Sequence, residues 1–332
     1  MSALQHNKIL VATNRKCDSQ SPVSFSDEPD SEGVVHWVAA EIETSQAPVY
    51  LEKSTDGTCP KAVRDLFIKE LQTTPNKQIL YFAPGARDFE ETLDASKSLV
   101  AKLGPNNVRN VTPLPAIVCA YSQAIKSDFC DALFDKDWYQ KQLDAIEKGV
   151  ESYQNFCGSL SKILGEIDGG ELAGFTQSAG TLLHAKTHET GWSGPKLNHL
   201  FVCASPMLAN QFNSGNNVGE SILKQSKNVG VYGSKHDNVI RMAKRLWHKG
   251  KEMLGQHEPT NDSWNTSYSD ICDTGGRFVY VKCDSVNKKG NTHKSYESNP
   301  RILNDISLSI QKLQAQHRVA IAGSKGHGFL LK

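Results

Sequence analysis

Leu172-Ala173-Gly174-Phe175-Thr176-Gln177-Ser178-Ala179-Gly180-Thr181-Leu182-Leu183 reads as an apolar strand over 172–175, a serine among small residues, and the start of a helix. A serine on a sharp strand-to-helix turn projects its Oγ clear of the sheet. Its neighbours must be small because the turn is tight, and the helix N-terminus beneath it favours developing negative charge. Gly180 meets that need two residues after the serine. Thr176, small but β-branched, stands two residues before it, where glycine is usual. A serine at a helix N-terminus is also an ordinary cap, so the segment needs support from the rest of the chain.

Outward from this point the chain alternates short apolar runs with amphipathic stretches. Residues 78–83 form a strand stopped by Pro84-Gly85. A helix follows over 88–103, with Phe89, Leu93, Leu99, Val100 and Leu103 on one face and Asp88 and Glu91 spaced as a capping box. Further strands are expected at 111–119, 200–204, 229–232 and 277–283, and helices at 137–164, 238–254 and 299–313. This alternation predicts an α/β fold, a mostly parallel sheet with helices on both faces. Strand-like runs at 9–13 and 34–42 place an antiparallel N-terminal edge within residues 1–75. No linker interrupts the pattern, so residues 1–332 read as one domain. Residues 319–328 look like a strand and a phosphate loop, but only four residues follow Gly328, too few for a helix to bind a phosphate, so residues 318–332 read as a flexible tail. Segments 120–136, 205–227 and 255–275 are long for connections and read as rim loops.

Composition narrows the function classes. Hydrophobic residues at 38% and charged residues at 22% match an ordinary soluble globular chain. A net charge of +1 gives no pull toward nucleic acid or an anionic membrane. No stretch approaches the roughly 20 apolar residues of a membrane span, and the apolar run at 9–12 is too short for a signal-peptide core. The expected location is cytoplasmic, with signal-less secretion as an effector the other possibility. Eight cysteines without a C-x-x-C pair suggest neither a zinc nor a redox site.

Three further segments join the serine. The strand end Tyr81-Phe82-Ala83-Pro84-Gly85-Ala86 supplies a glycine turn, where the Ala86 amide is a candidate oxyanion donor beside that of Ala179. Asp237 follows the strand at 229–232, and His293 follows the strand at 277–283. The order serine, aspartate, histidine, each after a strand at the carboxyl edge of the sheet, is that of α/β-hydrolases. Ser178 is then the nucleophile, Asp237 the acid and His293 the base. His236 is the rival base, and Asp284 and Asp273 are rival acids. Tyr121, Phe134 and Met207, on the rim segments, are candidate substrate-binding residues, with local packing as their other reading. His184 and His188 lie four apart on the helix after Ser178, but residue 185 is alanine, so the glutamate of a zincin is missing. No metal and no cofactor is called for.

The chain resembles a bacterial branch of α/β-hydrolases catalogued as a domain of unknown function, number 900. Val11-Ala12-Thr13-Asn14-Arg15-Lys16 resembles that branch's first strand and A-T-N-R-like turn. Pro84-Gly85-Ala86-Arg87 occupies the place of its H-G-Y-N, and Gln177-Ser178-Ala179-Gly180 that of its H-S-M-G. Tyr232-Gly233-Ser234-Lys235-His236-Asp237 resembles its Y-x-S-x-x-D, and His293-Lys294-Ser295-Tyr296 with Asn299-Pro300 its H-S-Y…N-P. The resemblance implies the same roles for Ser178, Asp237 and His293. Pro84 and Gln177 stand where the branch has histidines. The expected activity is hydrolysis of a carboxylic ester or thioester, a small-molecule or lipid-like substrate, with no nucleic acid and no transmembrane segment. The competing expectation is a catalytically weak or inactive binding protein on the same fold.

Overall fold

The structure is a computed structural model. It describes residues 8–31, 33–42, 46–55, 59–72, 78–85, 87–103, 116–119, 136–212, 216–257, 277–287, 292–310, 318–320 and 328–331. The strands are β1 (Lys8–Thr13), β2 (Arg15–Gln20), β3 (Val23–Pro29), β4 (Val35–Glu41), β5 (Val49–Ser54), β6 (Gln78–Ala83), β7 (Ala116–Cys119), β8 (Glu171–Gln177), β9 (His199–Cys203), β10 (Asn228–Gly233), β11 (Arg277–Lys282), β12 (Arg318–Ala320) and β13 (Gly328–Leu331). The helices are α1 (Lys61–Gln72), α2 (Phe89–Leu103), α3 (Lys136–Gly165), α4 (Ala179–Thr190), α5 (Asn217–Gln225), α6 (Asn238–Leu246) and α7 (Pro300–Ile310), with 3₁₀ turns at Ala209–Phe212 and Ser295–Glu297.

One sheet carries all strands but β2 and β3, in the order β12-β13-β11-β10-β9-β8-β6-β7-β1-β4-β5. From β13 through β1 neighbouring strands run parallel. At the N-terminal side β4 and β5 add antiparallel to β1. The α/β class and the antiparallel N-terminal edge are therefore as expected. Alternate strand residues feed two separate cores, as a period of two requires. Leu10, Ile79, Tyr81, Leu172, Leu200, Val229 and Phe278 point to the face covered by α1, α3, α4 and α5. Ile9, Leu80, Phe82, Phe175, Phe201, Val279 and Val281 point to the face covered by α2 and α7. Asp88 caps α2 by accepting the Glu91 N–H at 2.7 Å. Among the described residues no helix is long and apolar enough to cross a membrane.

Several expectations are corrected. Within the segment expected as a tail, the described residues 318–320 and 328–331 form strands. Residues 328–331 form β13 parallel to the edge of β11, and β12 folds back on it antiparallel. Leu331 is fully buried there and its carbonyl accepts from Ser285 Oγ. Within 205–227 lies α5, capped by the Asn216 side chain accepting from the Val218 N–H at 3.1 Å. The helix expected over 238–254 ends at Leu246, because Lys249 and Gly250 turn to φ values of 48° and 83°. The first 75 residues also hold α1, β5 and a β2–β3 hairpin.

Candidate functional site

Because β6, β8, β9, β10 and β11 are parallel, their carboxyl ends share one edge. Ser178 follows β8 there, and α4 begins at the next residue. Its backbone sits at φ 51° and ψ −123°, a conformation that costs a non-glycine residue on the order of 1–3 kcal/mol. Three contacts impose it. The Ser178 N–H donates to the Cys203 carbonyl at 3.0 Å. Gly180 lies so close to the end of β6 that a Cβ would fall 2.2 Å from the Ala83 carbonyl oxygen and 2.7 Å from that of Pro84. A Cβ on Gly85 would fall 2.9 Å from the Ser178 Cβ. The elbow and the glycine turn are thus packed backbone to backbone. Thr176 is accommodated by its hydroxyl, which donates to the Phe201 carbonyl at 3.3 Å.

The ordinary-cap reading of Ser178 fails, since its side chain makes no capping hydrogen bond to α4. Its Oγ lies instead 2.8 Å from Nε2 of His293. His293 Nδ1 lies 3.0 and 3.1 Å from the two carboxylate oxygens of Asp237. Asp237 is fully buried, and the His293 side chain is 12% exposed. With Nδ1–H directed at the carboxylate, Nε2 is left as the acceptor toward the hydroxyl. Asp237 also caps α6, accepting the Ile240 N–H at 3.1 Å. Residues from β8, the β10–α6 loop and the loop after β11 therefore meet at one point, 56 and 115 positions apart in sequence.

The rivals take other roles. Asp284 accepts from the Lys235 N–H at 2.9 Å and from Ser234 Oγ at 3.2 Å, and so braces the loop that carries Asp237. His236 accepts at its carbonyl from Thr292 Oγ1 at 2.8 Å, which ties the loop carrying Asp237 to the loop carrying His293. Gln256 donates to the Asp237 carbonyl at 2.8 Å. Gln177 donates from Nε2 to the His293 carbonyl at 2.9 Å, linking the residue before Ser178 directly to His293. None of these cross-links has a local sequence signature, since each joins segments that only the fold brings together.

Ala179 opens α4 at its first position, where a backbone N–H has no carbonyl one turn back to bond. Ala86, Tyr121, Phe134 and Asp273 lie outside the described residues. Met207 is 1% exposed and packs into the core on the α4 side, so it presents no wall to a ligand. Tyr296, three residues after His293, is buried against this cluster, and burial followed by the Asp237 charge drives its phenol well above the usual range. His184 and His188 face inward. The Nδ1 of His184 lies 3.2 Å from the Tyr153 hydroxyl and that of His188 lies 2.8 Å from Ser221 Oγ. Burial pushes His184 well below its ordinary value and His188 down to about 3, so both are neutral. Among the described residues no three histidine, cysteine or carboxylate side chains gather as a metal site.

No family model matches the chain, and no curated protein matches it either. One solved structure, the product of the gene lin2722 from Listeria innocua, aligns over 77% of this chain and 98% of its own at 12% identity. The TM-score is 0.33, too loose an overlap to relate the two.

Proposed function

We propose that this chain is a serine hydrolase of the α/β-hydrolase type that cleaves a carboxylic ester or thioester through an acyl-enzyme on Ser178. The observation that carries the reading is the position of the Ser178 hydroxyl. It leaves its own helix uncapped and meets His293 Nε2 at 2.8 Å, while Asp237 holds the opposite ring nitrogen. A serine serving the helix would point its Oγ at the first-turn amides.

The chemistry follows from these contacts. His293 takes the Ser178 proton as Oγ bonds to the substrate carbonyl carbon, and buried Asp237 stabilises the imidazolium that results. The oxyanion forms beside the N-terminus of α4, where the Ala179 amide and the helix dipole favour negative charge. The imidazolium proton passes to the departing alkoxide or thiolate as its bond to the acyl carbon breaks. Water, deprotonated by the same Nε2, then cleaves the acyl–Oγ bond and restores the serine. Esters and thioesters are proposed over amides because an alkoxide or thiolate leaves an acyl carbon more readily than an amide nitrogen does.

A fluorophosphonate probe tests the reading directly. The wild-type chain is expected to gain one phosphonyl group on the peptide containing Ser178, and Ser178→Ala is expected to gain none. Ser178→Ala should also lower esterase turnover by on the order of 10⁶-fold while the protein stays folded. A folded wild-type chain that is not labelled would overturn the proposal and favour a binding protein on this fold.

A further inference from the structure

Arg87 and Glu297 take no part in the reaction just described, yet each is attached to a piece of its machinery. Arg87 comes two residues after Gly85, the glycine pressed against Ser178. Glu297 ends the 3₁₀ turn Ser295–Glu297, four residues after His293. Both are almost fully buried, at 5% and 7% exposure. Arg87 Nη2 donates to Glu297 Oε1, joining chain segments 210 residues apart. The Arg87 main chain is fixed as well, since its carbonyl accepts from Arg15 Nη2. Arg15 is itself fully buried at the start of β2, and its Nη1 pairs with Asp27 of β3 at 2.8 Å. Asp27, Arg15, Arg87 and Glu297 thus make a line of two anions and two cations with no net charge.

A buried ion pair gains little net stability over apolar side chains of the same volume. What it supplies is direction, because one prong of the Arg87 guanidinium fork, Nη2, meets Glu297 Oε1 in a charge-assisted bond. Here that direction runs between the two segments that flank Ser178, the turn after β6 and the loop bearing His293. Arg87 is also too deeply committed to greet an anionic substrate, being buried and already paired. We infer that Arg87 and Glu297 act as a positioning clasp, holding the chain at Arg87, close after Gly85 in sequence, and the 292–297 loop in register across Ser178. The inference rests on the hydrolase reading above, since the clasp matters to function only if His293 and that turn serve the same reacting atom.

The test uses the full chain, fluorophosphonate labelling and p-nitrophenyl acetate turnover. Glu297→Gln preserves volume and an acceptor but removes the charge. The double variant Arg87→Met with Glu297→Leu replaces the pair by apolar side chains that suit a buried site. Both are expected to lower kcat by about 10- to 100-fold, the scale of a displacement near 1 Å in a reacting group. KM should stay within about twofold, and the double variant should melt at or above the wild-type temperature. Arg87→Lys, which keeps the charge but not the fork, should recover part of the loss. A folded double variant with wild-type kcat and labelling rate overturns the clasp alone. Failure of both the double variant and Arg87→Lys to fold makes the pair a folding element and overturns its positioning role. A wild-type chain that the probe does not label overturns the hydrolase reading and the clasp with it.

Discussion

Replacing Gly85 by alanine tests how closely the turn after β6 serves Ser178. The added methyl would sit 2.9 Å from the Ser178 Cβ and 3.5 Å from its Oγ. Carbon atoms at ease stand about 3.5–4.0 Å apart, so the turn and the elbow must separate by about 0.6–1.1 Å. The elbow has little freedom to yield, because Gly180 is wedged against the Ala83 and Pro84 carbonyls and the Ser178 amide is bonded across to β9. The turn therefore gives way, and with it any oxyanion donor it carries. A shift of that size costs on the order of 100-fold in kcat/KM, or about 2.7 kcal/mol of transition-state stabilisation. Overpacking one methyl costs about 1–3 kcal/mol of folding stability, which leaves the protein folded. The assay is kcat/KM for p-nitrophenyl acetate beside a thermal melt. A folded Gly85→Ala protein whose kcat/KM stays within about twofold of wild type would refute the reasoning. Gly180→Ala is the harsher companion, since its methyl meets a backbone oxygen at 2.2 Å that no rotamer can move, and loss of folded protein is expected.

Asp237→Asn keeps an oxygen to cap α6, and asparagine caps as well as aspartate, but it loses the tautomer control over His293. A fall in kcat on the order of 10⁴-fold with a nearly unchanged melting temperature is expected; steady-state kinetics beside calorimetry reads both. Acid should destabilise the fold through His184 and His188. Their folded values are depressed, so the unfolded chain binds more protons once the pH drops below about 6.5. Their contribution to stability is complete above that pH and falls by about 1.4 kcal/mol per histidine per pH unit below it. For His188 the decline continues until its folded value of about 3. Urea titrations at pH 7.5 and 5 should show this slope reduced in His188→Gln, and an identical slope in both proteins would count against neutral burial. EDTA should leave esterase turnover unchanged, and a loss that zinc restores would reopen the case for the two histidines as ligands.

The parallel strands from β11 across to β1 were legible because they are continuous apolar runs between glycines, prolines and polar loops, as at 79–83 and 229–232. Ser178, Asp237 and His293 were legible for a related reason. Each follows such a run, and parallel pairing brings the ends of the runs to one edge. Polar strands were not legible. The β2–β3 hairpin is built mostly from residues such as Lys16, Asp18, Ser24 and Asp27, and although Val23 and Phe25 pack against the core they are too few to show a period of two in the sequence. The glycines after 322 look like a loop, and only the open edge of β11 makes 328–331 a strand. The braces around the site were invisible for a third reason. Gln177 to His293 and Arg87 to Glu297 span 116 and 210 positions and follow no spacing rule. Met207 shows the limit of reading rim loops by hydrophobicity, since an apolar residue beside a site turns inward as readily as outward.

The backbone of Ser178 has a consequence for how variants of this protein would behave under selection. A φ of 51° is one that glycine adopts without strain, and the contacts that impose it come from neighbours that stay in place whatever residue stands at 178. A library screened only for heat resistance should therefore enrich glycine at this position, and on the proposed hydrolase reading the winners would be durable and inert. Alanine, which keeps the Cβ and its strain, is the fair control for the missing hydroxyl. Recovering activity from such a population would require restoring one side chain whose stability cost is fixed by the rest of the fold.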